Sequence, residues 1–98
     1  METEFKEGKI VKIKEYNNFT LKGIITVYQL NFVDRSGRKH SDVMVTYDSG
    51  VGGEEFWGIG VDLFDALEVA SMQFDYYFEG EIKDENPFKE LLSRLQND

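Results

Sequence analysis

The hydrophobic period of the chain changes once, at Val61–Asp62, and that change sets the class of fold. Before it, apolar side chains alternate with polar ones in short runs separated by Asn, Asp and Gly, the period-2 signature of strands. After it they return at spacings of three and four, the signature of a helix with one apolar face. Strands first and helices last, without βαβ alternation, describe an α+β domain on an antiparallel sheet. With 98 residues there is material for one hydrophobic core and not two, so residues 1–98 read as a single domain.

Four strands are expected. In Lys9 to Tyr16, Val11 and Ile13 share one parity and Lys12 and Lys14 the other. This is an outer strand whose lysines face water and discourage edge pairing. Gly23 to Val33 is expected to be central and covered at least partly on both faces: Ile24, Thr26, Tyr28, Leu30 and Phe32 make one face mainly apolar, while Ile25, Val27 and Val33 add apolar weight to the other. Asp34-Arg35-Ser36-Gly37 closes a hairpin, with Asp able to bond the following backbone and Gly free to take positive φ. The third strand runs from Arg38 to Tyr47 with Val43, Val45 and Tyr47 on one parity. After the turn Ser49-Gly50-Val51-Gly52-Gly53, a short strand from Glu54 to Val61 sets Gly58 and Gly60 on one face, a trough in which a helix can approach closely.

Asp62 has the chemistry of an N-cap, and Asp65 stands at the capping-box position. At 100° per residue, Leu63, Ala66, Leu67, Ala70, Phe74, Tyr77 and Phe78 form a stripe about 120° wide. Asp65, Glu68, Asp75 and Glu79 fall opposite, with Met72 among them. Gly80 is placed to end the helix. Asn86-Pro87 pairs a cap with an N1 proline, and Phe88, Leu91, Leu92 and Leu95 follow on one face of a short C-terminal helix. The expected architecture is thus an antiparallel sheet of about four strands, one long helix on one of its faces and a short closing helix.

Charge narrows the range of partners. Acidic residues number 19 and basic residues 11, a net charge of -8. From Met1 to His40 there are 8 basic and 5 acidic residues, and from Ser41 to Asp98 there are 3 and 14, so the halves carry +3 and -11. The acidic part repels nucleic acid and anionic lipid and attracts cationic surfaces, so neither nucleic acid nor a membrane is expected as a partner. There is no apolar run near the roughly 20 residues of a membrane span, and METEFKEGKI lacks the apolar core of a signal peptide, so a cytoplasmic location is expected. The absence of Cys removes disulfides, thiolate nucleophiles and Cys-based zinc sites, and a single His leaves no His cluster. No cofactor or metal is expected.

Candidate sites are few. His40, beside Lys39, has no nucleophile or orienting group in its local sequence, and a structural role is favoured. Gly50-Val51-Gly52-Gly53 lacks the spacing of a phosphate loop and is followed by Glu54 and Glu55, which repel phosphate, so it reads as a turn. Asp48, Glu54 and Glu55 depart from the EF-hand spacing for Ca²⁺. Asn18-Phe19-Thr20 matches a glycosylation sequon that has no use without secretion. The helix face of Asp65, Glu68, Asp75 and Glu79 stands out because no Lys or Arg in the helix offsets it. A self-repelling row costs a few tenths of a kcal/mol per pair. Trp57 and some of Tyr16, Tyr28, Tyr47, Tyr76 and Tyr77 are expected at the surface, where Tyr and Trp favour interfaces.

The passage Phe56-Trp57-Gly58-Ile59-Gly60-Val61-Asp62, running into Ala66-Leu67, resembles the last-strand-to-helix junction of small uncharacterised bacterial proteins of about this length, whose architecture is similar to that of toxin-immunity proteins. The resemblance implies strands followed by a helix and a binding role. The expectation is therefore a small acidic protein-binding protein, not an enzyme, of the immunity or inhibitor kind. Asp65, Glu68, Asp75 and Glu79 meet a basic partner in this reading, and Trp57 supplies an anchor. The alternatives are a structural homodimer joined through an uncovered sheet face and, third, a carboxylate-based hydrolase.

Overall fold

A computed structural model describes residues 5–50, 55–78 and 85–97. Its elements are β1 (Phe5–Tyr16), β2 (Ile24–Asp34), β3 (Lys39–Asp48), β4 (Phe56–Gly60), α1 (Leu63–Phe78) and α2 (Pro87–Gln96). The strands pair antiparallel in the order β1-β2-β3-β4, so the sheet is a simple meander. This is the expected α+β architecture. The outer strand extends back to Phe5, and the fourth strand is confined to Phe56–Gly60. Gly80, residues 51–53 of the glycine-rich turn and Glu54 of the expected fourth strand lie outside the described residues.

The glycine trough decides where the helix sits. A Cβ built on Gly58 would lie 2.5 Å from the Ala70 amide nitrogen and 2.6 Å from the Ala66 carbonyl oxygen. On Gly60 it would lie 2.6 Å from the Ala66 nitrogen. The backbone of α1 therefore rests almost directly on β4, with the small residues Ala66 and Ala70 at the crossing. α1 packs chiefly on β4 and then on β3. Beneath it lies the core: Ile25, Val27, Val45, Tyr47, Phe56, Leu67, Phe74, Phe88 and Leu91 are all buried. Each large apolar side chain so buried contributes about 1.5–3 kcal/mol.

α2 packs against α1 on the same side of the sheet. Asn86 is its cap: the side-chain oxygen accepts from the Phe88 and Lys89 amides at 3.0 and 3.3 Å, and Pro87 follows at N1. The Phe88 ring meets Tyr47 and Phe74 edge-on at 6.1 and 6.2 Å, and Phe56 stands 4.9 Å from Phe74. Four rings thus join β3, β4, α1 and α2 in one cluster. Such pairs add about 0.5–1.5 kcal/mol each beyond their buried area. Tyr47 donates its hydroxyl to the Lys22 carbonyl oxygen, and burial, followed by the Asp48 and Glu90 carboxylates, pushes its phenol up.

Two expectations about the strands need correction. In β2 the core takes Ile25 and Val27, the less apolar parity, while Ile24, Tyr28, Leu30 and Phe32 lie on a face that neither helix covers. β2 is central in the sheet but covered by helix on one face only. In β1, a register shift between Lys12 and Lys14 makes Ile13 the extra residue. Lys12 then pairs with Tyr28 on the uncovered face, and Lys14 pairs with Val27 on the helix side, so the two lysines do not share a face.

Candidate functional site

The outer face of α1 is more structured than a row of free carboxylates. Asp65 belongs to the helix start: its amide donates to Asp62 Oδ1 at 2.8 Å, and its own Oδ2 accepts from the Val61 amide at 3.1 Å. The short Asp side chain reaches the amide before the cap residue, where a Glu would reach the cap itself. Asp75 belongs to the helix–helix contact. Its Oδ2 lies 2.6 Å from Lys89 Nζ, and its Oδ1 accepts from the buried Asn86 side chain at 3.1 Å. The expectation of an uncompensated row is therefore corrected at Asp75, because α2 supplies the cation that the helix itself lacks. Glu68 is exposed and has no ion pair among the described residues. Glu79 lies outside them.

Three large side chains accompany Glu68 on that face. Phe64 is 45% exposed, Met72 70% and Tyr76 85%. With Glu68 they stand at i, i+4, i+8 and i+12, one ridge along the outside of the helix. Sequence reasoning placed Met72 among the acids and assigned Phe64 to neither stripe. The signal for them in the sequence is the four-residue spacing from Phe64 to Tyr76.

Trp57 is half exposed, but it lies on the other side of the sheet. Gly58 and Gly60 face α1, so alternation along β4 turns Trp57 and Ile59 away from it. Glu68 and Trp57 therefore face opposite ways, with β4 and the helix layer between them. Trp57 belongs instead to the uncovered face, with Ile10, Tyr28, Leu30, Met44 and Ile59. Ile10 and Ile59 there are 65% and 39% exposed. Of the tyrosines, Tyr76 and Tyr77 reach the surface, Tyr16 and Tyr28 are half-buried, and Tyr47 is buried.

His40 has an orienting group after all. Its Nε2 lies 2.9 Å from Asp34 Oδ2, six residues back across the hairpin, and its ring stacks on Phe32 with centroids 4.8 Å apart. The hydroxyl of Ser36 donates to Asp34 Oδ1 at 2.6 Å, and the Ser36 and Arg38 amides donate to the same oxygen. These bonds, led by the Ser36 hydroxyl and then His40, hold the Asp34 carboxyl well below the usual carboxylate range. The only hydroxyl in this group is spent on the carboxylate, not on the imidazole. The arrangement secures the turn.

Among the described residues, no group of three or more His, Asp or Glu is placed to hold a metal ion. Asp48 is occupied in a turn, accepting from the Gly50 amide at 2.8 Å where Gly50 has φ 85°. Asn18 of the sequon gives its carbonyl to Arg94 of α2, which also donates to the Asn17 carbonyl at 2.8 Å and covers the Phe19 ring. No described helix is long and apolar enough to cross a membrane. No protein-family model matches the chain, and searches of curated proteins and of solved structures returned no match.

Proposed function

We propose that this chain is a cytoplasmic protein-binding module of the inhibitor or immunity kind, and that the outer face of α1 is where it meets a basic partner. The observation that carries the proposal is the ridge Phe64, Glu68, Met72 and Tyr76. An aromatic, a methionine and a tyrosine held in water each forgo a large part of the burial free energy they could gain, about 1.5–3 kcal/mol for a side chain of this size. Aromatics and Met are the residue types enriched in protein interfaces. Glu68 adds a carboxylate at the centre of the ridge, and the net charge of -8 steers a cationic partner towards it. Phe64, Met72 and Tyr76 take the anchoring role that sequence reasoning gave to Trp57. Asp65 and Asp75 contribute field from positions already held by the fold.

The test uses Glu68 and the apolar ridge, because reversing Asp65 or Asp75 disrupts the cap or the helix contact. Immobilised wild-type chain is expected to retain a basic protein from a lysate of its source cells, less of it as salt rises. Glu68→Lys is expected to weaken retention about tenfold and Phe64→Ser with Tyr76→Ser to abolish it, while the circular dichroism stays that of the wild type. Retention unchanged in all of these variants would overturn the reading.

A further inference from the structure

We propose that the uncovered sheet face packs against the same face of a second copy of this chain, about a two-fold axis that sets Lys12 of each copy against Asp42 of the other. The inference concerns a different surface from the helix ridge and stands or falls apart from it.

The face is ordered in rows by the strand register. Ile10 pairs with Leu30 and Leu30 with Asp42; Lys12 pairs with Tyr28, Tyr28 with Met44 and Met44 with Ile59. Ile10, Leu30, Phe32, Asp42 and Ile59 line one shallow groove. An apolar centre of Leu30, Tyr28 and Met44 is thus flanked by a cation on β1 and an anion on β3. Asp42 is half-buried in the groove, and its carboxylate has no ion pair among the described residues. Among the described residues Lys12 forms one ion pair, with Glu15 at 3.0 Å, exposed and on the same edge.

The two charges are placed for self-complementarity. Two strand spacings and one two-residue step separate them, about 12 Å, and their midpoint falls between Leu30 and Tyr28. A two-fold axis in the interface, through that midpoint and perpendicular to the line joining the two charges, exchanges the Lys12 and Asp42 positions, so both ion pairs form at once while the apolar centres meet. An isologous contact requires this of a surface: residue i meets j, and j meets i. The strands of the two sheets then cross at roughly 70°, near the orthogonal class of sheet packing.

Charge across the whole molecule permits the same arrangement. Residues 1–61, which hold the sheet, have 8 basic and 9 acidic residues, whereas residues 62–98, which hold the helices, have 3 and 10. Joining sheet to sheet brings the nearly neutral parts together and leaves the acidic helices outermost. The footprint, roughly 20 by 27 Å from the strand spacings, is smaller than the about 800 Å² per partner of a standard interface. The dimer is therefore expected to dissociate in the micromolar range.

Sedimentation equilibrium of the full chain between about 10 µM and 1 mM is expected to show a mass rising from 11.4 kDa towards twice that value. Lys12→Glu and Asp42→Lys are each expected to raise the dissociation constant at least tenfold, and the double variant to restore it to within about threefold of wild type. A mass of 11.4 kDa throughout overturns the second copy as occupant. A dimer that ignores both single reversals, or that the double variant fails to restore, overturns the paired geometry. Near-UV circular dichroism identifies a variant that has lost its fold, and restoration in the double variant guards against that cause. Neither reversal touches α1, so retention of a basic protein by the Glu68 ridge is expected to survive both.

Discussion

The Ala70 amide nitrogen stands where a side chain of Gly58 would begin: the two positions are 2.5 Å apart. The obstruction is backbone on a helix that is itself packed, so no rotamer change relieves it. Gly58→Ala is expected to cost about 1–3 kcal/mol through displacement of α1. Gly37→Ala makes the contrast, since nothing lies within 4 Å of that site and only the positive φ of 89° opposes the change. Urea denaturation of the two variants compares them directly; a Gly58→Ala midpoint no lower than that of Gly37→Ala would falsify this account of the trough.

Asn86 is a cap on one side and a link on the other. While its oxygen caps α2, its amide nitrogen donates to the Ser71 carbonyl and to Asp75 Oδ1, both at 3.1 Å, and the residue is 1% exposed. Asp caps helices as well as Asn does, so at an ordinary surface cap the exchange is nearly neutral. Here Asn86→Asp is expected to lose about 2 kcal/mol or more at pH 7, because it removes two donors and sets a second carboxylate beside Asp75. Thermal unfolding monitored at 222 nm measures the loss, and an unchanged midpoint would show that the link carries no weight.

Asp34 predicts a pH dependence of definite sign. Its folded pKa lies below the unfolded value of about 3.9, so its contribution is complete above about pH 5 and is lost as the pH falls through 4 and below. The stability difference between wild type and Asp34→Ala is expected to be constant from pH 5 to 6 and to shrink steadily towards pH 2. A difference that grows on acidification would contradict the hairpin assignment.

The β1–β2 connection is held by α2. Glu90 accepts the Thr20 amide on both carboxylate oxygens, at 3.1 and 3.3 Å. Hydrogen exchange at that amide is expected to quicken about tenfold or more in Glu90→Ala, in keeping with the 1.5–3 kcal/mol of a bond to a charged group. Exchange at the Val45 amide is expected to stay slow, which separates loss of the clamp from loss of the fold.

Much of this fold was legible because particular residues leave few choices. The glycines of β4 demanded a close neighbour and received α1. Asp62, Asn86 and Pro87 marked helix starts, and Val43, Val45 and Tyr47 declared the core face of β3. The orientation of β2 was not legible, since Ile24, Tyr28, Leu30 and Phe32 outweigh Ile25 and Val27. The choice is made two strands away, by the face on which Gly58 accepts the helix, and the register carries it back through β3. The turn of Lys14 to the helix side depends on the extra residue at Ile13, which no period in the letters announces. The outer face of α1 was read from its acids alone, yet Asp65 and Asp75 work for the fold, and Phe64, Met72 and Tyr76 are what water meets, because the bonds of Asp65 to Val61 and of Asp75 to Asn86 and Lys89 appear only once the elements are packed.

Both helices lie on one side of the sheet, α1 over β4 and β3 and α2 beside α1 against the β1–β2 connection, and that asymmetry has a mechanical consequence. A pull on the N-terminal strand can peel β1 from β2 one bonded pair at a time, without disturbing Phe74 or Phe88, as far as Tyr16, where the grip of Arg94 and Glu90 begins. A pull on α2 meets the whole ring cluster at once. The molecule thus has a zipper along β1 and a rivet at the ring cluster, and direction of load, more than its size, decides which gives way.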